Sequence, residues 1–575
     1  MTEAFDTIIV GGGSAGSVLA SRLSARSAHS VLLCEAGQDT PDGKVPPEIL
    51  DAYPGNARRD PRFHWTELKV TTEVAPHNCP DALRSRLRKY EQARVLGGGS
   101  SINAQLANRG APGDYDEWER RGARGWAWDD VLPYFKRVER DMDFHTPEDS
   151  HWHGTEGRIP VRRIFPDLWP EHAKAAAEAF RQAGHAFIPD QNGEWRDGYY
   201  PLAISNLYER RVSAAIGYLD PGTRQRANLT ISTDTHVTGL VFDGLRCVGV
   251  DAIVAGRPTQ FRAREVIVSS GAIHSPAHLL RAGIGPAPDL RALGIEVRTH
   301  LPGVGQRLMD HPAVAIAAWL KPHARILTDW TQRHMFVALR YTSKLPGVPS
   351  GDMFLGVTNK TSWHAVGEQI GSFTISVYKT YSEAGQVRLA SRDWRDHPVV
   401  EFNLLSDWRD LDRLMEGVRI SAMMHTTPVM RAATADPFPA SYGERVRQAD
   451  AINRKNKLLI DVLARLLDGP AMLRSALIRK LFMGEFTLEG VLCDEGQLEA
   501  FCRKAAVGVW HASCTCRMGN EDDPMAVTDP AGRVRGVEGL RVVDASIFPV
   551  LPRASTNVPT LMTAEKCAQA ILDGA

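Results

Sequence analysis

Four residues near the N-terminus have the types and spacing of a dinucleotide site. Gly11, Gly13 and Gly16 form a G-x-G-x-x-G pattern, and Glu35 follows nineteen positions after Gly16. Glycines at these positions let the backbone turn tightly and approach a pyrophosphate, while the carboxylate can accept hydrogen bonds from an adenosine ribose. The pattern predicts a dinucleotide cofactor rather than merely a tight turn between a strand and a helix.

The segments around these residues are the ones that such a site needs. Residues 6–10 and 30–35 are apolar enough to form strands, and residues 17–23 have the composition of a helix between them. The unpaired N–H groups at the start of that helix would face the pyrophosphate. We therefore predict a strand–helix–strand unit of the α/β type around the dinucleotide.

Two further stretches have small residues where the backbone could approach a ligand. Residues 97–101 are three glycines and two serines, which by composition alone fit a flexible loop better than a ligand contact. Residues 266–272 form an apolar strand that ends in small residues. We expect this strand to return to the first sheet, where a ligand can lie beyond the strand ends.

The composition limits the class of protein. A chain of 575 residues predicts two or more domains. Lys plus Arg and Asp plus Glu both number 68, so net charge gives no reason to expect nucleic acid or an anionic membrane as a partner. The eight cysteines do not have the spacing of a zinc site. The first strand starts too early to leave room for a leader peptide. The apolar run 313–320 is too short to cross a bilayer. We predict a soluble cytoplasmic protein that holds no metal.

The middle of the chain predicts a second domain. Residues 114–135 read as one aromatic-rich surface helix, and residues 145–153, with three histidines, as a loop rather than a metal site. Residues 227–268 alternate with the period of a β meander. Residues 315–505, which include a helix at 408–425, form a separate α+β domain in this interpretation.

Within that domain, the sequence predicts two strongly apolar helices with interspersed lysines and arginines. They cover residues 457–467 and 471–483 and are separated by Gly469-Pro470. Three interpretations stay open: a lid over the substrate cavity, an oligomer contact, or an interfacial membrane anchor. The leucines lie on more than one face of each helix, which favours the first two.

The last seventy residues contain a histidine among small residues. An imidazole with an ordinary pKa of about 6.5 can take a hydroxyl proton near neutral pH, although His511 taken alone fits a buried core histidine. Cys514 and Cys516 follow it closely. A C-x-C spacing is poor for a strain-free bridge, so we interpret both as small packing residues rather than a redox disulfide.

Taken together, these motifs resemble the glucose–methanol–choline (GMC) oxidoreductases, FAD enzymes that oxidise alcohols, over essentially the whole chain. The N-terminal glycine turn resembles the family's FAD fingerprint, residues 93–103 its first signature, and residues 271–286 its second. His278 and Ala282 depart from the second signature, where an aliphatic residue and a serine are usual. Residues 90–92 and 401–407 are most similar to members that oxidise furanic alcohols.

The resemblance implies roles for individual residues. His511 falls on the catalytic base, and Asn557 on its partner, whose amide donates to the developing alkoxide. Members that tether FAD use a histidine at what corresponds to Ile102, so the resemblance implies non-covalent FAD. The residues implied to bind it are Gly11, Gly13, Ser14, Ala15, Gly16, Glu35, Ala36, Arg94, Leu96, Gly98, Gly99, Ser101, Asn103, Ala104, Val237, Gly271, Trp510, Asp544, Ala545, Asn557, Pro559 and Thr560.

The implied fold is an α/β, Rossmann-like FAD-binding domain, of the type also found in p-hydroxybenzoate hydroxylase, plus an α+β substrate-binding domain with an antiparallel sheet. The FAD-binding domain takes residues 1–160, 210–315 and 505–575. The substrate-binding domain takes residues 161–209 and 316–504, with a helical insertion at about 451–484.

The implied function is oxidation of a primary alcohol, aromatic or furanic, to the aldehyde. His511 removes the hydroxyl proton, flavin N5 accepts the hydride, and molecular oxygen or another acceptor takes the electrons. Two alternative functions remain: a hydroxynitrile-lyase-like enzyme on the same scaffold and a nucleotide-binding structural protein. We expect a monomer or a homodimer. Aromatic residues of the second domain wall the pocket or fill the core: Trp330, Phe336, Phe354, Trp363, Tyr378 and Tyr381.

Overall fold

The computed structural model describes residues 4–73, 87–327, 329–440 and 444–574. Its strands are β1 Phe5–Val10, β2 Val31–Cys34, β3 Lys69–Thr71, β4 Arg88–Lys89, β5 Glu139–Asp141, β6 Ile159–Val161, β7 Gly198–Pro201, β8 Asn206–Leu207, β9 Arg210–Arg211, β10 Leu229–Ser232, β11 Thr235–Asp243, β12 Arg246–Val254, β13 Arg257–Val268, β14 Ile284–Gly285, β15 Thr299–His300, β16 Gln306–Leu308, β17 Pro312–Leu320, β18 Met335–Tyr341, β19 Met353–Thr358, β20 Ile370–Val377, β21 Gly385–Arg388, β22 Val399–Glu401, β23 Thr434–Ala440, β24 Val507–Gly508 and β25 Leu540–Val542.

Its helices are α1 Ser14–Leu23, α2 Pro47–Leu50, α3 Gly55–Arg59, α4 Pro112–Arg120, α5 Trp128–Val138, α6 Glu171–Gln182, α7 Ala214–Tyr218, α8 Pro221–Arg224, α9 Gly271–Arg281, α10 Ala287–Ala292, α11 Ala365–Gln369, α12 Trp408–His425, α13 Pro428–Ala433, α14 Glu444–Ala449, α15 Arg454–Leu467, α16 Ala471–Leu481, α17 Leu488–Cys493, α18 Glu495–Ala505 and α19 Asn557–Leu572. None of these described helices is both long and apolar enough to cross a lipid bilayer.

The first sheet places the ends of the predicted dinucleotide strands at one edge. In the described chain its order is β10-β2-β1-β13-β12-β11, with β25 also paired to β13. β1 runs parallel to β2 and to β13, in a register that sets Val10 opposite both Cys34 and Val268. Parallel strands end at a common edge, so Gly11 and Glu35, each one residue past its strand, meet there. Helix α1 returns from that edge and packs against α7 and α19.

The second sheet is antiparallel. Its order in the described residues is β23-β17-β20-β19-β18-β7, and β24 pairs with β17. Helices α12 and α6 pack against this sheet, and the buried side chains between them include Phe373, Ile375 and Leu414. A smaller sheet, β16-β21-β22-β3-β4, joins strands from distant parts of the chain beside it. The antiparallel sheet predicted for the substrate-binding part is therefore present.

Two elements differ from the sequence-based predictions. The aromatic segment 114–135 is not one helix: α4 and α5 flank a turn in which Gly122 and Gly125 have φ of +100° and +75°. A Cβ on Gly122 would lie 2.6 Å from the backbone nitrogen of Asn520, so close packing favours glycine there and ends the first helix. Strand β10 is not part of the meander but pairs parallel with β2, at the edge of the first sheet.

The predicted histidine-rich loop contributes a buried charge network. His153 is 3% exposed, and its Nε2 lies 2.8 Å from an Asp190 oxygen. Its Nδ1 lies 2.8 Å from Glu139 and 3.1 Å from Asp141. One ligand atom each of Glu139, Asp141 and His153 lies within 4.8 Å of the other two, which is the spacing of a metal site. Arginines occupy the carboxylates, however, so we interpret the group as ion pairs: Arg109 with Glu139, and Arg163 with Asp141 and Asp190.

We expect the stabilisation that this charge network gives to the fold to decrease as the pH rises. Burial alone would lower the pKa of His153, but hydrogen bonds to Asp141, Asp190 and Glu139 outweigh it and raise the pKa to about 10. The unfolded histidine titrates near 6.5. The protonated histidine therefore stabilises the fold fully below about pH 6.5, and this contribution disappears as the pH rises towards 10. We expect His153→Gln to cost about 3 kcal/mol near neutral pH. Between pH 7 and 9.5 the midpoint temperature of thermal unfolding should fall more steeply for the native chain than for the variant. Parallel plots of midpoint against pH would contradict a stabilising role of protonated His153.

Candidate active site

The glycine turn after β1 packs closely against neighbouring backbone. Gly11 has φ of +104°, a left-handed conformation that favours glycine. A Cβ on Gly16 would lie 1.9 Å from the carbonyl oxygen of Gly11, and one on Gly98 would lie 2.6 Å from the Cα of Gly13. The second glycine cluster is therefore not the loose loop that composition favours. Residues Gly98–Ser101 form a 3₁₀ turn that packs against the first turn.

The Glu35 carboxylate is fixed by hydrogen bonds from two glycine backbone N–H groups. Its Oε2 accepts a hydrogen bond from Gly12 N at 2.8 Å and its Oε1 accepts one from Gly37 N at 2.7 Å. Burial raises the pKa of the carboxyl, and the two backbone N–H groups oppose this. Each carboxylate oxygen has a further lone pair, so Glu35 can still accept from a ribose hydroxyl.

A cavity of about 380 Å³ lies beside the turn. Among its lining residues are most of those predicted to hold the cofactor: Gly11, Gly13, Ser14, Ala15, Glu35, Ala36, Gly98, Gly99, Val237, Gly271, Trp510, Asp544, Ala545 and Thr560. They come from the first sheet, the start of α1, the start of α9 and the C-terminal segment. The structure thus brings residues that are far apart in sequence around one elongated space.

The other predicted residues do not line this cavity: Gly16, Arg94, Leu96, Ser101, Asn103, Ala104, His511, Asn557 and Pro559. Some of them hold its wall. Ser101 Oγ donates to the carbonyl of Leu96 at 2.8 Å, and Asn103 Oδ1 accepts from Arg211 at 2.8 Å. Arg94 Nε donates to the carbonyl of Ala36 at 3.1 Å. These side chains support the backbone that faces the cavity.

Asp544 ties three segments together at the cavity edge. Its Oδ2 accepts from Gly271 N at 2.8 Å and from Ser275 Oγ at 2.6 Å, and its Oδ1 accepts from Ser546 N at 2.8 Å. The aspartate therefore fixes the start of α9 against the C-terminal segment. Burial raises its pKa, and the hydrogen bonds oppose this.

One end of the cavity is lined by aromatic and imidazole rings that sequence reasoning missed. They are Trp65, His236, His274, His278, Trp394 and His397. The rings of His236 and Trp394 are 4.5 Å apart, and those of Trp65 and His274 are 5.1 Å apart. Burial lowers the pKa of His236 to about 4 and of His278 to about 3, which keeps these rings neutral. The one sequence signal was His278, at a position where an aliphatic residue is usual.

His511 is paired with a second histidine. Its Nδ1 lies 2.8 Å from Nδ1 of His311, whose other ring nitrogen lies 3.1 Å from the carbonyl oxygen of Pro552. The His311 ring also stacks on Tyr378, with centroids 4.7 Å apart. His311 is fully buried and His511 is half-buried. Burial lowers the pKa of His511 to about 3 and holds that of His311 well below its usual value, so both rings are neutral near pH 7.

The hydrogen-bond partners fix which nitrogen of each ring carries the proton. The Pro552 carbonyl can only accept, so Nε2 of His311 must donate and its Nδ1 is bare. That bare nitrogen accepts from Nδ1–H of His511. In neutral His511 the lone pair is then on Nε2. The pair therefore presents an imidazole with its basic nitrogen free, and His311 stabilises the imidazolium that would form.

The backbone around His511 is held by a buried carboxylate. Asp310 Oδ1 accepts from the backbone N–H of Val509 at 3.1 Å and of His511 at 3.0 Å. Burial raises the pKa of Asp310 to about 7, against these hydrogen bonds. Trp510 adopts φ of +61°, a strained conformation for a bulky residue, and its indole N–H donates to Glu91. Asp310 and Trp510 thus determine the direction of the His511 backbone.

Asn557 begins α19 and faces the start of α1. Its Oδ1 accepts from Ser14 Oγ at 2.8 Å. This contact identifies the oxygen end of the amide and leaves the NH₂ group as the end available for a ligand oxygen. Asn557 is half-buried, as is His511.

The cysteines after His511 are packing residues. Cys514 and Cys516 are buried free thiols, and burial raises the pKa of Cys514 to about 12. Thiols held so far from their thiolate form are poor redox groups. The structure therefore agrees with the small-residue interpretation. Cys79 lies outside the described residues.

The six aromatic residues expected either to wall the substrate pocket or to fill the core do not share one role. Two of them, Phe354 and Tyr378, line a small cavity beside Tyr200 and Arg340. None of the six lines the described walls of the 380 Å³ cavity. Phe336 is in the core of the second sheet, Trp363 donates its indole N–H to the carbonyl of Asp450, and Trp330 is 43% exposed. Tyr378 stacks between Phe354 and His311, so its role is to support the histidine pair.

A parallel sheet with a glycine cradle, beside a histidine that exposes a basic nitrogen, defines a dinucleotide-dependent enzyme. The comparisons with known proteins identify its family. Residues 5–313 and 380–564 match the N-terminal and C-terminal family models described as GMC oxidoreductase. The chain belongs to the GMC oxidoreductases, and the predicted family and fold class are confirmed.

Relatives cover nearly the full length of the chain. It is 42% identical to 5-(hydroxymethyl)furfural oxidase of Methylovorus sp. (strain MP688) over 576 residues, which covers 99% of this chain and 98% of the relative. It is 34% identical to oxygen-dependent choline dehydrogenase of Sinorhizobium fredii, over 99% and 95% of the two chains. The crystal structure of pyridoxine 4-oxidase from Mesorbium loti matches with a TM-score of 0.80 at 23% identity, over 99% of both chains. This last similarity supports the fold alone.

Proposed function

We propose that the protein oxidises a primary alcohol to the aldehyde with FAD. The observation that carries the proposal is the His511–His311 pair, which leaves Nε2 of His511 unprotonated and free to take the hydroxyl proton. A base of this kind is required because alcohol oxidation removes a proton from oxygen and a hydride from carbon.

In this proposal each residue has one task. His511 Nε2 takes the hydroxyl proton, and His311 Nδ1 holds the Nδ1–H of the resulting imidazolium. The NH₂ group of Asn557, whose oxygen is occupied by Ser14, donates to the alkoxide oxygen. Removing donors of this kind in other enzymes costs about 3 kcal/mol of transition-state stabilisation.

The cradle fits FAD. The turn from Gly11 to Gly16 leaves no room for a Cβ at Gly16, and Gly98 brings the second glycine segment against it. Glu35 is placed for a ribose, and the start of α1 offers backbone N–H groups to a pyrophosphate. Bound FAD would supply the acceptor for the hydride that leaves the alcohol carbon.

The FAD is expected to be non-covalent. Ile102 is 5% exposed and packs with Ile49, Phe63 and Val95, and an isoleucine has no nucleophilic atom for a bond to flavin. Acid or heat denaturation should therefore release all of the yellow colour into the supernatant. Colour that stays with the precipitated protein would contradict this prediction.

We infer an aromatic or furanic substrate from the 42% identity to an enzyme named for 5-(hydroxymethyl)furfural. The test is anaerobic mixing of the holoenzyme with benzylic, furanic and pyridoxine-like alcohols, followed by air. Bleaching of the flavin by one class supports the proposal, and immediate return of colour in air identifies oxygen as the acceptor. If no alcohol bleaches a fully loaded flavin, the lyase alternative gains support; the relatives above, named as oxidases and dehydrogenases, disfavour it. A cytoplasmic monomer or homodimer remains our proposal for the state of the protein.

A further inference from the structure

The two helices α15 and α16 carry apolar side chains on both sides. Their inner sides are buried with Trp319 and Phe438, through residues such as Ile460 and Leu467. Their outer side exposes large aliphatic side chains, which we call the outer hairpin face: Leu458, Leu459, Val462, Leu466, Met472 and Leu473. Met472 is 89% exposed and Leu458 is 68% exposed. The inner sides already anchor the hairpin, so its attachment to the core does not explain the outer face.

The exposed leucines of α15 form a continuous row. Leu458, Val462 and Leu466 are spaced by four residues, which places them above one another on one helix side. Leu327, also exposed at 74%, lies two residues after Arg325, which forms an ion pair with Asp468 at the turn between the helices. A row of exposed aliphatic side chains of this kind is typical of an interaction site.

The same hairpin is strongly basic, although the whole chain is neutral. Residues 452–484 contain seven lysines and arginines against two aspartates. Both aspartates are engaged in ion pairs, Asp461 with Lys457 and Asp468 with Arg325. In the described part of the chain the following make no ion pair: Arg454, Lys455, Arg465, Arg479 and Lys480. Arg465 lies seven residues after Leu458 in α15, and Lys480 lies seven residues after Leu473 in α16, so each basic side chain is on the same helix side as an exposed leucine.

Two of the interpretations left open by the sequence fit this surface poorly. A lid should reach the cavity, but the cavity is lined by other parts of the described chain and by no residue of the hairpin. A two-fold dimer through the outer hairpin face would set the same basic patch against itself and bring like charges together. An anionic lipid surface accepts both features, because aliphatic side chains enter the headgroup boundary while lysines and arginines meet lipid charges.

We propose that the outer hairpin face docks the enzyme on an anionic lipid bilayer as a peripheral protein. Binding is reversible: the hairpin lies on the surface and does not span it, in agreement with the lengths of α15 and α16. The proposal is independent of the reaction catalysed, because it rests on residues outside the cavity.

The test is co-sedimentation of the FAD-loaded enzyme with phosphatidylcholine vesicles that contain or lack phosphatidylglycerol. We expect binding to the anionic vesicles at low salt, weakened by high salt, and little binding to phosphatidylcholine alone. The apolar variant Leu458→Gln/Met472→Gln and the charge variant Arg479→Glu/Lys480→Glu should each weaken binding at least about tenfold. Control variants change exposed residues of the same types elsewhere, Leu168→Gln/Leu245→Gln and Arg257→Glu/Arg262→Glu, and should bind as the native chain does.

Several results would overturn the proposal. One is no binding to anionic vesicles at low salt, and another is binding that the hairpin variants and controls weaken equally. A third is a dimer in sedimentation equilibrium that Leu458→Gln/Met472→Gln dissociates while vesicles do not compete for it; that result would assign the face to a second copy of the chain. Flavin absorbance and the midpoint of thermal unfolding, unchanged in all variants, show that each remains folded.

Discussion

Replacing His511 by alanine is expected to leave FAD bound while flavin reduction by substrate slows at least about 10²-fold. The variant removes the only nitrogen that the histidine pair leaves free for a proton, since Nδ1 is used by His311. The Glu35 and Asp544 contacts that shape the cofactor cradle do not include His511, so cofactor content should not change. The measurement is anaerobic stopped-flow reduction at saturating alcohol, with the flavin absorbance as readout.

Two controls separate chemistry from folding in this experiment. His511→Gln keeps a side chain of similar length but has no basic nitrogen, so it should be nearly as slow as the alanine variant. His172→Gln changes another buried histidine, which bonds Asn359 in the second domain, and should reduce at the native rate. Native reduction kinetics in His511→Ala would remove this residue from the mechanism.

The pH dependence of the same reaction gives an independent check. Burial lowers the pKa of His511 to about 3, so the ring is unprotonated and competent as a base at every pH above about 4. Protonation of His511 should therefore not lower the reduction rate between pH 9 and about 5. Burial raises the pKa of Asp310, which holds the His511 backbone, to about 7, so a step near pH 7 that disappears in Asp310→Asn reports that carboxyl. A loss of activity below an apparent pKa of about 6.5 that persists in Asp310→Asn would indicate a solvent-exposed histidine instead.

Much of the cofactor cradle was predictable because its determinants are local. Glycine spacing after an apolar strand requires a tight turn, and the carboxylate of Glu35 follows the next strand in a fixed register. These short-range constraints do not depend on the rest of the chain. The break between α4 and α5 was missed because it depends on a distant contact, the backbone of Asn520 against Gly122.

The hydrogen bond between His511 and His311 was not predictable for the same reason. His311 lies 200 residues earlier, directly before β17, and no spacing rule connects the two. Strand β24, just before His511, pairs with β17, and this pairing brings the histidines together. The aromatic residues show the same dependence on packing. Composition identified them but left open whether they wall the pocket or fill the core, and only the structure shows that the Tyr378 ring stacks on His311.

Replacing His311 by leucine is expected to slow flavin reduction by about 10² to 10⁴-fold, although His311 is a positioning residue that need not touch the substrate. Without the bare Nδ1 of His311, nothing holds the Nδ1–H of His511, and the ring can turn or change tautomer, which removes the lone pair from Nε2. The imidazolium also loses its acceptor. Because the loss concerns proton transfer, it should appear in kcat, with little change in the KM for the alcohol.

The conservative variant His311→Asn distinguishes positioning from packing. An asparagine places Oδ1 about where Nδ1 of the histidine lies, so it restores an acceptor for His511 while it loses the bond to the Pro552 carbonyl and part of the stacking on Tyr378. If His311 acts through the hydrogen bond, Asn should recover at least about tenfold of the rate lost in Leu, because one such bond to a charged ring contributes about 1.5–3 kcal/mol. If it acts only as a packed ring, Leu should retain more activity than Asn, since leucine fills the apolar space better and leaves no polar group unpaired. Equal FAD content in both variants ensures that the comparison reports on the reaction and not on cofactor loss.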